Sequence, residues 1–148
     1  MLIRNMKKSD YAEVDRLLLQ IHQMDVSNRP DMFSPADQYM AQECYENLVD
    51  SPTVISILAQ KHRNVLGCCF VSMLGKEGSD ENRTAYIDLL VVDEPHRRKG
   101  IGKALFQEVQ KRAKKNGCPS SRSDCVELQQ RCCMRLRIVR HDTASKCI

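Results

Sequence analysis

No run of apolar residues approaches the roughly 18 that a membrane span needs. The lysine-bearing N-terminus has no apolar stretch of the kind a secretory signal carries. The chain has no internal repeat, no low-complexity tract and no tryptophan, and aromatic residues make up only 5% of it. Its net charge of +4 is too small to argue by itself for a nucleic-acid partner. The expectation is a soluble, cytoplasmic protein with no membrane role. At 148 residues, 42% hydrophobic and 28% charged, it has the size and composition of one globular domain.

Eight cysteines are present. Without a secretory signal, reduced thiols are the default state. Four of the eight, Cys125, Cys132, Cys133 and Cys147, fall in the last thirty residues. The stretch 119–148 carries six Lys/Arg against three Asp/Glu, and the last aromatic residue of the chain is Phe106. So sharp a break divides the chain into a domain over 1–119 and a Cys/Arg-rich tail over 120–148.

Within the domain, 2–5 reads as a first strand. Ser9 or Asp10 can cap a helix, and Asp10 with Glu13 makes a capping-box-like pair. Val14, Leu17, Leu18 and Ile21 then recur at helical spacing. Residues 28–31 break that pattern. Ser34 followed by Pro35 predicts the start of a second helix, with Ala36, Met40, Cys44 and Leu48 as its apolar stripe. Cys68 and Cys69 lie in a predicted strand, and these two and Cys44 read as core residues. Short β-rich runs at 54–59 and 66–74 flank a polar turn. The stretch 75–83 reads as a hairpin loop, and 86–92 is the strongest strand. Ala104, Leu105, Val109 and Ala113 mark a third helix from Ile101, with cations near its end and Asn116-Gly117 as its stop. The order β-α-α-β-β-β-α predicts a mixed α/β domain around a largely antiparallel sheet.

One segment carries chemistry. The strand Leu89-Leu90-Val91-Val92 runs through Asp93-Glu94-Pro95 into the turn His96-Arg97-Arg98-Lys99-Gly100-Ile101-Gly102-Lys103, which opens the third helix. Gly100 and Gly102 let a ligand approach the backbone. The first N–H groups of the helix lack internal partners and, with the helix dipole, suit a pyrophosphate. Arg97, Arg98, Lys99 and Lys103 surround the turn with positive charge. Gly-x-x-x-x-Gly-Lys-Ser/Thr is absent, so this is no P-loop. The third glycine of a dinucleotide fingerprint is absent too.

Arg97-Arg98-Lys99-Gly100-Ile101-Gly102 resembles the Gln/Arg-x-x-Gly-x-Gly/Ala signature of the GNAT family of N-acetyltransferases. The run 87–92 resembles that family's fourth strand. The first helix with His22, and Arg29-Pro30-Asp31-Met32-Phe33 after it, resemble small bacterial members. The resemblance covers 1–119. It implies an acyl-CoA acyltransferase fold and direct transfer of acetyl from acetyl-CoA to a substrate amine, on a small molecule or a peptide, without a metal. Leu90, Val91 and Val92 would lie along the pantetheine arm, with backbone pairing through Leu90 and Val92. Residues 97–103 would hold the pyrophosphate, and a fourth-strand N–H would polarise the thioester carbonyl. Asp88 is the nearest candidate base; His22 and Tyr86 come behind it. Residues 28–33 are candidates to line the acceptor pocket. Many family members dimerise, so a homodimer is among the expected partners.

The pattern fails after Gly117. The family expects a fifth strand, Asn-x-x-Ala, a helix, a tyrosine that often protonates the leaving thiolate, and a Gly-Phe/Met turn. Residues 120–148 contain no tyrosine, no glycine and no alternation. The expectation is that this tail is the product of a shifted reading frame. With permitted codons read one nucleotide later, 126–133 becomes Trp-Ser-Phe-Asn-Asn-Asp-Ala and 136–142 becomes Tyr-Glu-Ser-Leu-Gly-Met-Thr, with the tyrosine four residues after the alanine. The expectation is therefore an acetyltransferase whose C-terminal part is lost and whose turnover is impaired. Two rivals remain: a non-catalytic acyl-CoA-binding module, and a nucleic-acid binder acting through the basic tail. The tail has no aromatic stacking residue to favour the second. Cys125, Cys132, Cys133 and His141 lack the close Cys pair of structural zinc sites.

Overall fold

The central strands are apolar on both faces because helices cover both. The computed structural model describes residues 1–75 and 84–118. Its elements are β1 (Leu2–Asn5), a 3-10 turn (Lys8–Asp10), α1 (Tyr11–Asn28), α2 (Gln42–Asp50), β2 (Val54–Lys61), β3 (Asn64–Leu74), β4 (Thr84–Val92), a second 3-10 turn (Glu94–His96) and α3 (Ile101–Lys115). The strands lie in the order β1-β2-β3-β4, each antiparallel to the next. This is the mixed α/β architecture expected from the sequence. The loop predicted over 75–83 lies, apart from Gly75, outside the described residues, as do residue 119 and the tail 120–148. No helix among the described residues is long and apolar enough to cross a membrane.

Alternation along each strand sorts the core into two layers. Leu58, Cys68, Phe70, Leu89 and Val91 pack under Leu17 and Leu18 of α1 and Tyr45 of α2. Ile57, Cys69, Val71 and Ile87 pack under Leu105, Phe106 and Val109 of α3. Leu17, Leu18, Leu58 and Leu105 are completely buried, each contributing about 1.5–3 kcal/mol relative to exposure. Cys68 and Cys69 are core residues, as expected. Burial pushes the Cys68 thiol up to about 12, so it is an inert packing group.

Three details differ from the sequence reading. The second helix begins at Gln42 and not after Ser34. Residues 29–41 are instead held against α1 by tertiary bonds. Asp15 accepts the N–H groups of Tyr39 (2.9 Å) and Met40 (3.2 Å), and the Tyr11 hydroxyl donates to the Met40 carbonyl (2.8 Å). Cys44 is exposed. Leu48 of the predicted stripe does pack inward, but the inward face of α2 is centred on Tyr45, one position from Cys44, with Val49 beside it. Asp10 makes no side-chain cap on α1. Its carboxylate takes a two-pronged bond from Arg4 (2.7 and 2.9 Å) and the Lys7 N–H (2.8 Å). The Arg4 bonds hold the Asp10 carboxyl below its usual range against the opposing effect of burial.

The stop of α3 is as read. Gly117 has φ +86, its N–H donates to the Lys114 carbonyl (3.2 Å), and the Cys118 N–H donates to that of Ala113 (3.1 Å). That is a Schellman closure, which a left-handed glycine permits.

Gly67 on β3 is fixed by space. A Cβ there would lie 2.7 Å from the Val91 carbonyl oxygen and 3.2 Å from Cδ1 of Leu105. A backbone atom cannot swing aside as a side-chain tip can. Gly67→Ala must part β3 from β4, at a cost of about 1–3 kcal/mol. Thermal melting should show Tm lower by about 5 °C or more.

Candidate functional site

β4 is paired on one edge with β3, and with no strand on its other edge among the described residues. Antiparallel partners alternate between bonded and non-bonded pairs. The Asp93 N–H donates to the Leu66 carbonyl (2.8 Å), which continues the Gly67–Val92 register. Counting back from that bonded pair, Val91 bonds across to Cys68. Leu90 and Val92 therefore point their N–H and C=O groups away from β3. The structure thus places the two residues expected to bond a pantetheine arm on the open edge, with Val91 turned to β3. One of their four groups is taken: Arg97 Nε donates to the Val92 carbonyl (3.0 Å).

The basic turn sits at the end of this edge. A Cβ on Gly102 would meet Cγ2 of Val92 at 3.6 Å and Cδ2 of Leu90 at 3.9 Å. The first turn of α3 therefore lies directly against the side chains of those two β4 residues. Gly100 is left-handed at φ +80, and among the described residues a Cβ there would meet nothing within 4 Å. Glycine at 100 answers to backbone conformation and leaves open space beside the helix end. Ala104 is the first residue of α3 whose N–H reaches a carbonyl of its own turn, that of Gly100 (3.0 Å). The N–H groups of Ile101, Gly102 and Lys103 have no carbonyl within the helix. Open space, three directed donors and a dipole end fit an anionic pyrophosphate.

The four expected cations divide into two pairs. Arg97 is tied to Val92, and Lys99 Nζ to the Pro95 carbonyl (3.1 Å). These two shape the turn. Arg98 and Lys103 are exposed and make no bond or ion pair among the described residues, so their charge is available to a ligand. Arg98 has φ +64, a left-handed conformation that favours glycine.

Asp88 occupies a β-bulge. Phe70 faces Leu89 and Val71 faces Ile87, so Asp88 has no partner across the ladder. Its carboxylate accepts the Ser72 hydroxyl (2.5 Å) and is exposed. Ser72 follows Val71 of the α3 face, so the pair looks out on the α1/α2 face of the sheet. Tyr86 is 57% exposed. His22 is not free to act as a base through Nε2, because that N–H donates to the Ser34 carbonyl (2.8 Å). Its ring is set edge-on between Phe33 and Tyr39, with centroids 6.3 Å from each. Of residues 28–33, Phe33 thus packs with α1, and Arg29 pairs with Asp31 (2.9 Å). Among the described residues no three His, Cys, Asp or Glu side chains gather where they could hold a metal ion. Cys125, Cys132, Cys133 and His141 lie outside them.

The sequence reading missed a polar cluster behind the turn. Asp93 is 7% exposed and is bonded by Arg16, Gln20 and His96. Burial alone would raise its carboxyl, but the bonds from Gln20, His96 and Arg16 outweigh that and hold it below the usual range. In the sequence Asp93 shows only as a strand stop.

A family model described as the acetyltransferase (GNAT) family matches residues 18–133. The chain belongs to this family. The match includes β4, the basic turn and α3, and runs past residue 119. Solved structures with similar folds include a mutant of the BH1408 protein from Bacillus halodurans, with TM-score 0.72 and 24% identity over 80% of this chain and 78% of that one. A ribosomal-protein-alanine N-acetyltransferase from Brucella melitensis biovar Abortus aligns with TM-score 0.59 and 20% identity over 88% and 90% of the two chains. An aminoglycoside acetyltransferase from an uncultured soil metagenomic sample, in complex with sisomicin, aligns with TM-score 0.56 and 22% identity over 80% and 72%. A comparison with curated proteins returns no match. GNAT membership makes the protein an acetyltransferase by type.

Proposed function

We propose that this GNAT chain transfers an acetyl group from acetyl-CoA to a primary amine of a small molecule or peptide. The observation that carries the reading is the meeting of two sets of backbone groups that, the Val92 carbonyl apart, are unused among the described residues. The N–H groups of 101–103 open from α3, and the first turn of that helix rests on Leu90 and Val92, whose outward groups line the β4 edge. Acetyl-CoA supplies an activated thioester carbonyl and a thiolate leaving group.

The chain's own residues then have assignable roles. Leu90, through N–H and C=O, and Val92, through N–H, would pair with the pantetheine arm, leaving the Val92 carbonyl to Arg97. Residues 101–103 would hold the pyrophosphate, aided by the charges of Arg98 and Lys103. Asp88, presented by the bulge on the α1/α2 face, would take a proton from the amine directly or through a water. Ser72 fixes its orientation.

The test is thiol release from acetyl-CoA with a panel of amines. Solved relatives named for ribosomal-protein alanine and for an aminoglycoside make an alanine-ended peptide and an aminoglycoside sensible first members. Amine-dependent thiol release with acetylated product by mass is the expected result. An acetyl-CoA-induced rise in Tm without release on any amine overturns transfer and leaves a binding module, and absence of both the rise and the release overturns the reading entirely.

A further inference from the structure

We propose that Asp93 and Gln20 are positioning residues that set how strongly the 97–103 turn holds a pyrophosphate, by fastening the start of that turn to α1. The inference rests on the reading of the turn given above.

Both carboxylate oxygens of Asp93 are engaged. Oδ1 accepts Gln20 Nε2 (2.8 Å) and Arg16 Nη1 (3.1 Å), and Oδ2 accepts His96 Nδ1 (2.8 Å). The backbone of Asp93 is bonded as well, its N–H to Leu66 and its carbonyl from the His96 N–H (2.9 Å). Gln20 uses both ends of its amide: Nε2 on Asp93, and Oε1 accepting the Glu94 N–H (3.2 Å). One α1 side chain thus grips two successive residues at the entry to the turn.

A buried carboxylate needs such partners, and an apolar residue at 93 would need none. What the polar cluster adds is direction. The turn it anchors contains two left-handed residues, Arg98 and Gly100. Arg98 in that conformation is above its own local minimum, so the turn depends on holds from outside. Among them are Arg97 on Val92, Lys99 on Pro95, and Asp93, which Gln20 and Arg16 fasten to α1. Loosening the last lets the N–H groups of 101–103 wander, and preorganisation of donors is what makes anion binding tight.

The experiment compares two donors on the full chain. Acetyl-CoA carries the pyrophosphate, and S-acetylpantetheine carries the same thioester without it. Gln20→Met keeps the length of the side chain and removes both amide bonds. Its dissociation constant for acetyl-CoA should rise about 10-fold, with that for S-acetylpantetheine within twofold of the parent. Asp93→Asn, which keeps the shape and loses the carboxylate, should give the same selective loss. Unchanged acetyl-CoA affinity in both variants overturns the proposal. Equal weakening of both donors also overturns it, since that marks a merely structural role. A parent chain that does not distinguish the two donors overturns the reading of the turn itself, and this inference with it.

Discussion

Gly100→Val combined with Gly102→Val is expected to raise the dissociation constant for acetyl-CoA by about 100-fold. The two substitutions act by different means. At φ +80 a β-branched side chain is strongly disfavoured. Valine at 100 moves the backbone out of the left-handed region and turns the N–H groups that follow. At 102 the backbone is helical and a Cβ fits, 3.6 Å from Val92 and 3.9 Å from Leu90. The methyl groups beyond it do not, and they push the first turn of α3 off β4. Losing two or more charge-assisted bonds to a phosphate is worth about 3 kcal/mol, which is the stated factor. Gly102→Ala alone serves as a control, since its Cβ is accommodated. Calorimetric titration with acetyl-CoA reads the effect. A double variant that binds as the parent does places the cofactor elsewhere.

The second large effect concerns residues 120–148, which lie outside the described residues. We propose that they are read from a shifted frame. The codons for 116–148, read one nucleotide later, should spell Trp-Ser-Phe-Asn-Asn-Asp-Ala and then Tyr-Glu-Ser-Leu-Gly-Met-Thr. Protein made from that frame should turn over at least about 100-fold faster than the chain as it stands. The gain has a physical source, because a tyrosine placed to protonate the leaving thiolate contributes general acid catalysis of about that size. The restored frame would also supply the fifth strand that the family expects beside β4. Nucleotide sequencing of this stretch decides the first part and thiol-release kinetics the second. Stop codons throughout that frame would make the tail genuine. Composition sets the break at 119, while the family match continues to 133.

Legibility followed the range of the interactions. α3 was readable because Leu105, Val109 and Ala113 repeat at its own period and all are buried. Its end was readable because Gly117 answers to a local backbone need. The basic turn was readable because its residues are contiguous. The start of α2 was misplaced because Ser34-Pro35 is a sound local signal that Asp15 and Tyr11 override from the neighbouring helix. Asp93 was passed over because its partners Gln20 and Arg16 stand more than seventy residues away. The bulge was invisible because 89–92 is apolar on both faces, and an extra residue breaks no alternation there.

That bulge has a genetic side. As far as the ladder is concerned, Asp88 is an insertion. Deleting it would leave Phe70 opposite Leu89 and Val71 opposite Ile87, as they already are. Leu89 would stay on the α1/α2 face and Ile87 on the α3 face. The strand would become regular, and only a carboxylate and its Ser72 bond would go. A lineage carrying this sheet can gain or lose the acidic group through a single in-frame codon indel, without disturbing a core residue.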